Sequence, residues 1–161
     1  MKAEVSITIN GVAYGRTVPI RMLLVDFIRY EAGLTGTHVG CTFEGVCGAC
    51  TVHLDGNAIK ACLMLAVQAD GRNITTVEGL AKGNELHPLQ VAFNRHHALQ
   101  CGFCTSGMLM SGLDLIGKTP ELSEEKVRHG LVGNICRCAG YANIVDAILS
   151  VAQQEEHENE Q

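Results

Sequence analysis

The amino-acid sequence predicts an α+β protein, with a strand-rich first half and a helical second half. Three observations carry the prediction. Val5, Ile7 and Ile9 alternate with polar neighbours, the period of a half-buried strand. Beyond residue 87 the apolar residues recur at spacings of three and four, the period of a helix face. The eight cysteines split evenly, with Cys41, Cys47, Cys50 and Cys62 in the first half and Cys101, Cys104, Cys136 and Cys138 in the second.

The elements follow in order. Asn10-Gly11 is a hairpin turn that leads the first strand into a second over Val12 to Pro19. Met22 to Glu31 carries Leu23, Leu24, Phe27 and Ile28 at helical spacing, and Gly33 suits the stop. Thr51 to Asp55 and Ala58 to Cys62 flank Asp55-Gly56, a second hairpin signal. Ile74 to Val77 reads as a further strand. Residues 78–86, EGLAKGNEL, form a linker after a first domain of residues 1–77. Pro88 opens a helix at its first turn. A second helix spans Thr105 to Ile116. Ser123 is the expected N-cap of a third, running through Val132 and ended by Gly133, with Glu124 and Glu125 favourable in its first turn. Ile144, Val145, Ile148, Leu149 and Ala152 mark one face of a last helix. Four such helices make a bundle domain over residues 87–152. The strands, one crossing helix and a glycine-bearing cysteine loop are consistent with a ferredoxin-type β-grasp, although periodicity alone says only α+β.

Composition narrows the function classes. The formal charge is −5, and the tail QQEEHENEQ holds four of the acidic residues. Without them the body stands near −1, so nothing points to a nucleic-acid partner. Residues 153–161 read as an acidic, disordered tail. MKAEVSITIN has no basic-plus-apolar leader pattern, and no apolar run reaches membrane-spanning length. The expected location is therefore the cytoplasm, where thiols stay reduced and cysteine spacing speaks for metal rather than disulfides.

The cysteine spacings carry the chemistry. Cys47-Gly-Ala-Cys50 sets two thiolates on one tight turn, within reach of one metal centre. A [2Fe–2S] core held by four thiolates is anionic and asks for donors, which a glycine-permissive loop with Gly40, Gly45 and Gly48 supplies through its backbone N–H groups. Cys101-Gly-Phe-Cys104 offers a similar turn at a helix start, where the dipole favours thiolate charge. Cys136 and Cys138 share a metal only if the chain turns at Arg137, whose own side chain is expected to face outward. Neither set needs histidine, since each already has four thiols, and a Rieske-type site would substitute a histidine pair. The chain holds no glycine-rich phosphate loop and no nucleophile motif, so no residue is expected to act as a catalytic acid, base or nucleophile.

With its motifs CGACTVHLDG, QCGFCTSGM and GNICRCAGY, the chain resembles the small iron–sulfur subunit of the molybdenum hydroxylases, the xanthine oxidase superfamily, over essentially residues 3–152. It is especially similar to bacterial three-subunit members such as carbon monoxide dehydrogenase, aldehyde oxidoreductases and the N-heteroaromatic hydroxylases. The resemblance implies an N-terminal plant-ferredoxin-like domain and a C-terminal four-helix domain, each with one [2Fe–2S] cluster. By position, Cys41, Cys47, Cys50 and Cys62 hold a cluster on the flavin side, and Cys101, Cys104, Cys136 and Cys138 hold one near molybdenum. Gln100 matches a glutamine that hydrogen-bonds the molybdopterin cofactor, and Cys138 a ligand beside the pterin edge. The implied partners are a large molybdopterin-binding subunit and a medium FAD-binding subunit, as a dimer of heterotrimers. Electrons would pass singly from molybdenum through both clusters to FAD.

Three departures from the family pattern stand out. Five residues, Thr42 to Val46, separate the first two cysteines where the family usually has four. Ser106 replaces a usual proline and Ala139 a usual threonine. Two other readings stay open on the residues themselves. One is a zinc-binding interaction module, because paired C-x₂-C motifs also build structural zinc sites. The other is a free-standing ferredoxin, which would need only the first half.

Overall fold

The alternation over Val5, Ile7 and Ile9 builds strand β1 (Lys2–Ile9), whose three apolar side chains are buried while the residues between them stay on the outer face. A computed structural model of the chain describes the backbone of residues 1–159 and the side chains of residues 1–154. Asn10 and Gly11, both at positive φ, turn the chain into β2 (Val12–Pro19), which pairs antiparallel with β1 from Ile9↔Val12 to Lys2↔Pro19. Only Val18 of β2 is buried, the signature of an outer strand.

Strands β3 (Thr51–Leu54) and β4 (Asn57–Lys60) form the second hairpin, with Asp55 and Gly56 both left-handed at its turn, as a two-residue hairpin loop requires. Strand β5 (Asn73–Thr75) lies parallel to β1 and antiparallel to β3, giving one five-stranded mixed sheet in the order β2-β1-β5-β3-β4. The predicted crossing helix is a single α-turn, α1 (Leu24–Asp26), that widens into a π-helical turn over Phe27–Glu31, with the Ala32 N–H bonded to the Phe27 carbonyl. Widening the helix by one residue per turn keeps Leu24, Val25, Phe27 and Ile28 all buried against the sheet.

The second half is helical, with α2 (Pro88–Arg95), α3 (Thr105–Lys118), α4 (Glu124–Gly130) and α5 (Tyr141–Asn159). His87 and Gln90 form a reciprocal cap at the start of α2, where Pro88 occupies a position whose N–H would be orphaned anyway. The Ser123 hydroxyl accepts from the Lys126 N–H, so the expected N-cap of α4 is present. Helix α5 packs on α2, α3 and α4 around a second apolar core containing Leu89, Phe93, Met108, Val127, Ile144 and Ile148. The first core, built from the sheet and the crossing turn, shares no residue with it.

Several expected boundaries move. Cys62 does not arrive on a strand, because β4 ends at Lys60 and Cys62 lies in a 3₁₀ turn over Ala61–Leu63. Helix α4 stops at Gly130 rather than Val132, its Leu131 N–H closing the last bond. The strand expected at Ile74 to Val77 ends at Thr75 and gives way to a 3₁₀ turn over Val77–Gly79. The tail expected to be disordered from residue 153 instead continues α5 to Asn159. Gln and Glu are good helix formers, and no Gly or Pro stands there to end the helix. Residues 160–161 of that tail lie outside the described residues. Among the described residues no helix is long and apolar enough to cross a membrane.

Candidate metal centres

The fold places the eight thiols as neighbouring pairs, two pairs in each half of the chain. The thiol of Cys41 neighbours that of Cys47, and the thiol of Cys62 that of Cys50. In the second half the thiol of Cys101 neighbours that of Cys138, and the thiol of Cys104 that of Cys136. Among the described residues no three His, Cys, Asp or Glu side chains gather as ligands of a single ion. Two sulfurs to each of two neighbouring points is what a binuclear centre needs, so the donor sets fit a [2Fe–2S] cluster in type, number and pairing.

The first set is wrapped by the loop between β-hairpins. The extra length between Cys41 and Cys47 is taken up at Thr42 and Phe43, both left-handed and exposed, with Gly45 left-handed after them. The pairing of Cys41 with Cys47 survives this detour. The Cys41 thiol is held down at about 7, chiefly by the Cys47 N–H, with Val46 and Glu44 N–H groups adding to it against the opposing effect of burial. The Cys62 thiol is pushed up to about 12, first by burial and then by its neighbour Cys50, with the Gly45 N–H pulling the other way. Gly40 is needed for close approach, since a Cβ there would stand 3.1 Å from the Cys47 sulfur. Lys60 lies beside this set. Burial lowers its ammonium pKa, while the charges of Cys50, Cys47, Cys62 and Cys41 oppose that shift.

The second set sits where two helices begin. Cys104 is the N-cap of α3, and the Cys136–Cys138 segment leads through Gly140 into α5, with the Cys136 sulfur at 4.0 Å from where a Gly140 Cβ would stand. Both helix N-termini therefore direct free N–H groups and positive dipole ends toward this end of the molecule, favourable to an anionic centre. The turn that lets Cys136 and Cys138 face one site closes with the Ala139 N–H on the Cys136 carbonyl, and Ala139 takes the left-handed conformation. Arg137 is exposed, as expected. The Cys104 thiol is pushed up to about 12 by burial and then by Cys136, whereas the Phe103 N–H, then Cys138, lowers that of Cys101. Gln100 is exposed, and its amide donates to the Cys138 carbonyl at 3.4 Å.

The two sets meet along a polar seam that the sequence did not announce. The Ile135 N–H donates to the Cys47 carbonyl at 2.9 Å, joining the two cysteine segments directly. The Gly48 carbonyl accepts from the Thr51 N–H, the Thr51 hydroxyl and the Asn134 amide. Buried Asn134 in turn accepts from the Ser111 hydroxyl at 3.0 Å and the Lys60 ammonium at 3.3 Å. His38 donates from Nδ1 to the Phe103 carbonyl at 2.8 Å, and its ring stacks on Phe103 at 4.6 Å. A cavity of about 160 Å³ lies between the sets, lined by Cys47 from one and Cys101 and Cys104 from the other, with Phe103 and Ile135. Asn134, Ser111, Lys60, Thr51 and His38 stand at ordinary sequence positions that carry no local signal of the seam.

Known proteins similar to this chain are numerous. A family model described as a [2Fe-2S] binding domain matches residues 76–149. The chain is 49% identical over 153 residues to the nicotine 6-hydroxylase small subunit of Paenarthrobacter nicotinovorans, covering 95% of this chain and 92% of that one. It is 53% identical over 153 residues to caffeine dehydrogenase subunit gamma of a Pseudomonas species, covering 92% and 90%. Among solved structures, quinoline 2-oxidoreductase from Pseudomonas putida 86 superposes with a TM-score of 0.91 at 48% identity, over 98% of this chain and 97% of that one.

Proposed function

Because the chain belongs to the family of iron–sulfur subunits of the molybdenum hydroxylases, we propose that it holds two [2Fe–2S] clusters and relays single electrons from a molybdopterin centre on a large subunit to FAD on a medium subunit. The observation that carries this reading is the meeting of the two cysteine segments, with the Ile135 N–H on the Cys47 carbonyl and Cys47, Cys101 and Cys104 lining one cavity. A cluster so held supplies one-electron storage, its potential set by hydrogen bonds to sulfur and by exposure to solvent.

The chain's own residues do the rest. Cys41, Cys47, Cys50 and Cys62 hold one cluster, and Cys101, Cys104, Cys136 and Cys138 the other. The residues fit that task in ways beyond their count. Backbone N–H groups of Glu44, Val46 and Cys47 bond the Cys41 sulfur and stabilise its charge. The Gln100 amide is proposed to bond the molybdopterin cofactor, and Cys138 to stand beside it.

Exposed apolar side chains flank both sets, with Phe43, Val46 and Leu63 beside the first and Leu99, Phe103 and Ile135 beside the second. That distribution supports a fixed place between two partners over a free carrier. We propose the large subunit for the second face and the FAD subunit for the first, in a cytoplasmic dimer of heterotrimers. In this scheme residues 1–77 are a ferredoxin-like β-grasp domain, 78–86 a linker and 87–152 a four-helix bundle domain. The relatives' names point to nicotine, caffeine and quinoline as their substrates. For this chain's complex the choice is made in the pocket of the large subunit.

Anaerobic iron and sulfide analysis with an EPR redox titration tests the proposal on the intact protein. About four irons, about four acid-labile sulfides and two distinct reduced signals are expected per chain. Close to two zinc atoms without sulfide would replace it with the structural-zinc reading.

A further inference from the structure

Thr105, the first residue of α3 and the neighbour of Cys104, carries the one buried side-chain oxygen or nitrogen among the described residues that has no hydrogen-bond partner. Thr51, Ser106, Ser111 and Asn134, buried nearby along the seam, are all partnered. A buried hydroxyl without a partner costs on the order of 1–3 kcal/mol, and each such group in a native fold calls for an explanation. A threonine in a helix often bonds the carbonyl one turn back, but Thr105 makes no such bond. Its N–H is engaged locally, donating to the Gly102 carbonyl at 3.2 Å.

Helix geometry says where the hydroxyl stands. Thr105 lies four residues before Leu109 and seven before Gly112, hence on their stripe. That stripe faces α5 and α2, since a Cβ at Gly112 would meet Ile148 and Leu89 at 3.0 and 3.3 Å. Side chains on a helix also lean back over the preceding turn, which here is Cys101 to Cys104. Both leanings carry the hydroxyl toward the N-terminal ends of α3 and α5, where the second set of cysteines lies.

No cysteine sulfur is within hydrogen-bond reach of the hydroxyl, so we propose that Thr105 donates an O–H···S hydrogen bond to an inorganic sulfide of the second cluster and thereby raises its reduction potential. The inference rests on the two-cluster reading above. A donor to sulfur withdraws electron density and favours the more negative, reduced form. Thr105 is a positioning and tuning residue, not a catalytic one.

The test is an EPR redox titration of the holo-complex carrying Thr105→Val, with Thr105→Ser beside it. The signal of the second cluster is identified as the one that survives Cys62→Ser. At a fixed poise, Thr105→Val is expected to lower the reduced-to-oxidised ratio of that cluster about tenfold, 59 mV for one electron. The first cluster should not move, and Thr105→Ser should restore the wild-type value. An unmoved second potential in a fully loaded Thr105→Val protein overturns the inference alone, and would mean a buried water satisfies the hydroxyl. Absence of a second cluster from the wild type overturns both this inference and the reading beneath it. If Thr105→Val does not load, Thr105→Ala is titrated against the same expectation. If neither loads, a crystal structure of the wild-type complex decides. Thr105 Oγ1 within hydrogen-bond distance of an inorganic sulfide supports the bond, and a longer separation or an intervening water overturns it.

Discussion

At the scale of single residues, the cysteines differ more in surroundings than in role. Cys41 is half-buried and well supplied with N–H donors, whereas Cys62 is buried with fewer. Each is nonetheless one of four, so Cys62→Ser and Cys104→Ser should each reduce the iron from about four to about two per chain and remove a different EPR signal. Loss of all iron from either variant would show that the sets are not independent. Asp55 illustrates a residue with a purely structural part. At the β3–β4 turn it accepts from the Asn73 N–H at 2.9 Å and pairs with Arg72. The Asn73 N–H, then Arg72, lowers its carboxyl pKa below the ordinary value. A lowered folded pKa means stability that is present above the unfolded value, about 3.9, and is lost as pH falls through the folded one. Thermal melts should therefore place wild type above Asp55→Asn at pH 6 and bring the two together near pH 2. A gap that persists or widens on acidification would refute this part for the carboxylate.

At the scale of elements, helix α3 does three things at once. Its N-terminus faces the second set of cysteines, its first turn touches the Gly48–Ala49 backbone between Cys47 and Cys50, and its Met110 carbonyl accepts from His53 of β3 at 2.7 Å. The close approach is made at Gly107, where a Cβ would lie 2.1 Å from the Gly48 carbonyl oxygen and 3.0 Å from Ala49 Cα. Those atoms are backbone and cannot swing aside. Gly107→Ala should then destabilise by about 1–3 kcal/mol or more, the usual cost of overpacking. Gly117, on the same helix, is exposed and has nothing within 4 Å. There the same substitution should stabilise by about 0.5–1 kcal/mol, through helix propensity alone. Denaturant unfolding of the two variants measures both signs, and equal effects would remove the packing argument. The cysteine segments depend on similar devices. Gly48, at φ +72, would drive a Cβ to 2.4 Å from the Gly133 carbonyl.

At the scale of the whole molecule, two apolar cores are joined by hydrogen bonds rather than by a continuous apolar surface. Asn134 is the centre of that junction, linking Gly48, Lys60 and Ser111. Asn134→Ala should lower global stability by about 1–3 kcal/mol, because it strands the Ser111 hydroxyl and removes an acceptor from a half-buried ammonium. Calorimetry should show the loss, together with a less cooperative transition. A variant as stable as wild type would mean that the junction contributes nothing net. Removing the metal should act on both halves together, since Cys47 and Ile135 are bonded to one another across the seam. Loss of iron is expected to lower the melting temperature of the entire chain rather than of one half.

What the chain alone made legible follows from locality. Hairpins at Asn10-Gly11 and Asp55-Gly56, the caps at Pro88 and Ser123, and the number and kind of sulfur donors are written in neighbouring residues, because turn dihedrals, capping bonds and thiol chemistry act over a few positions. Less legible were the widened turn at Phe27–Glu31, the 3₁₀ seat of Cys62 and the helical continuation past residue 153, where packing or the absence of a stop signal decided the backbone. Which sulfur pairs with which, the meeting of Gly107 with Gly48, the Asn134 junction and the unpartnered hydroxyl of Thr105 belong to the tertiary structure alone. Each of them joins positions far apart in the chain or depends on what surrounds a side chain in space, and no local rule about spacing or propensity contains that information.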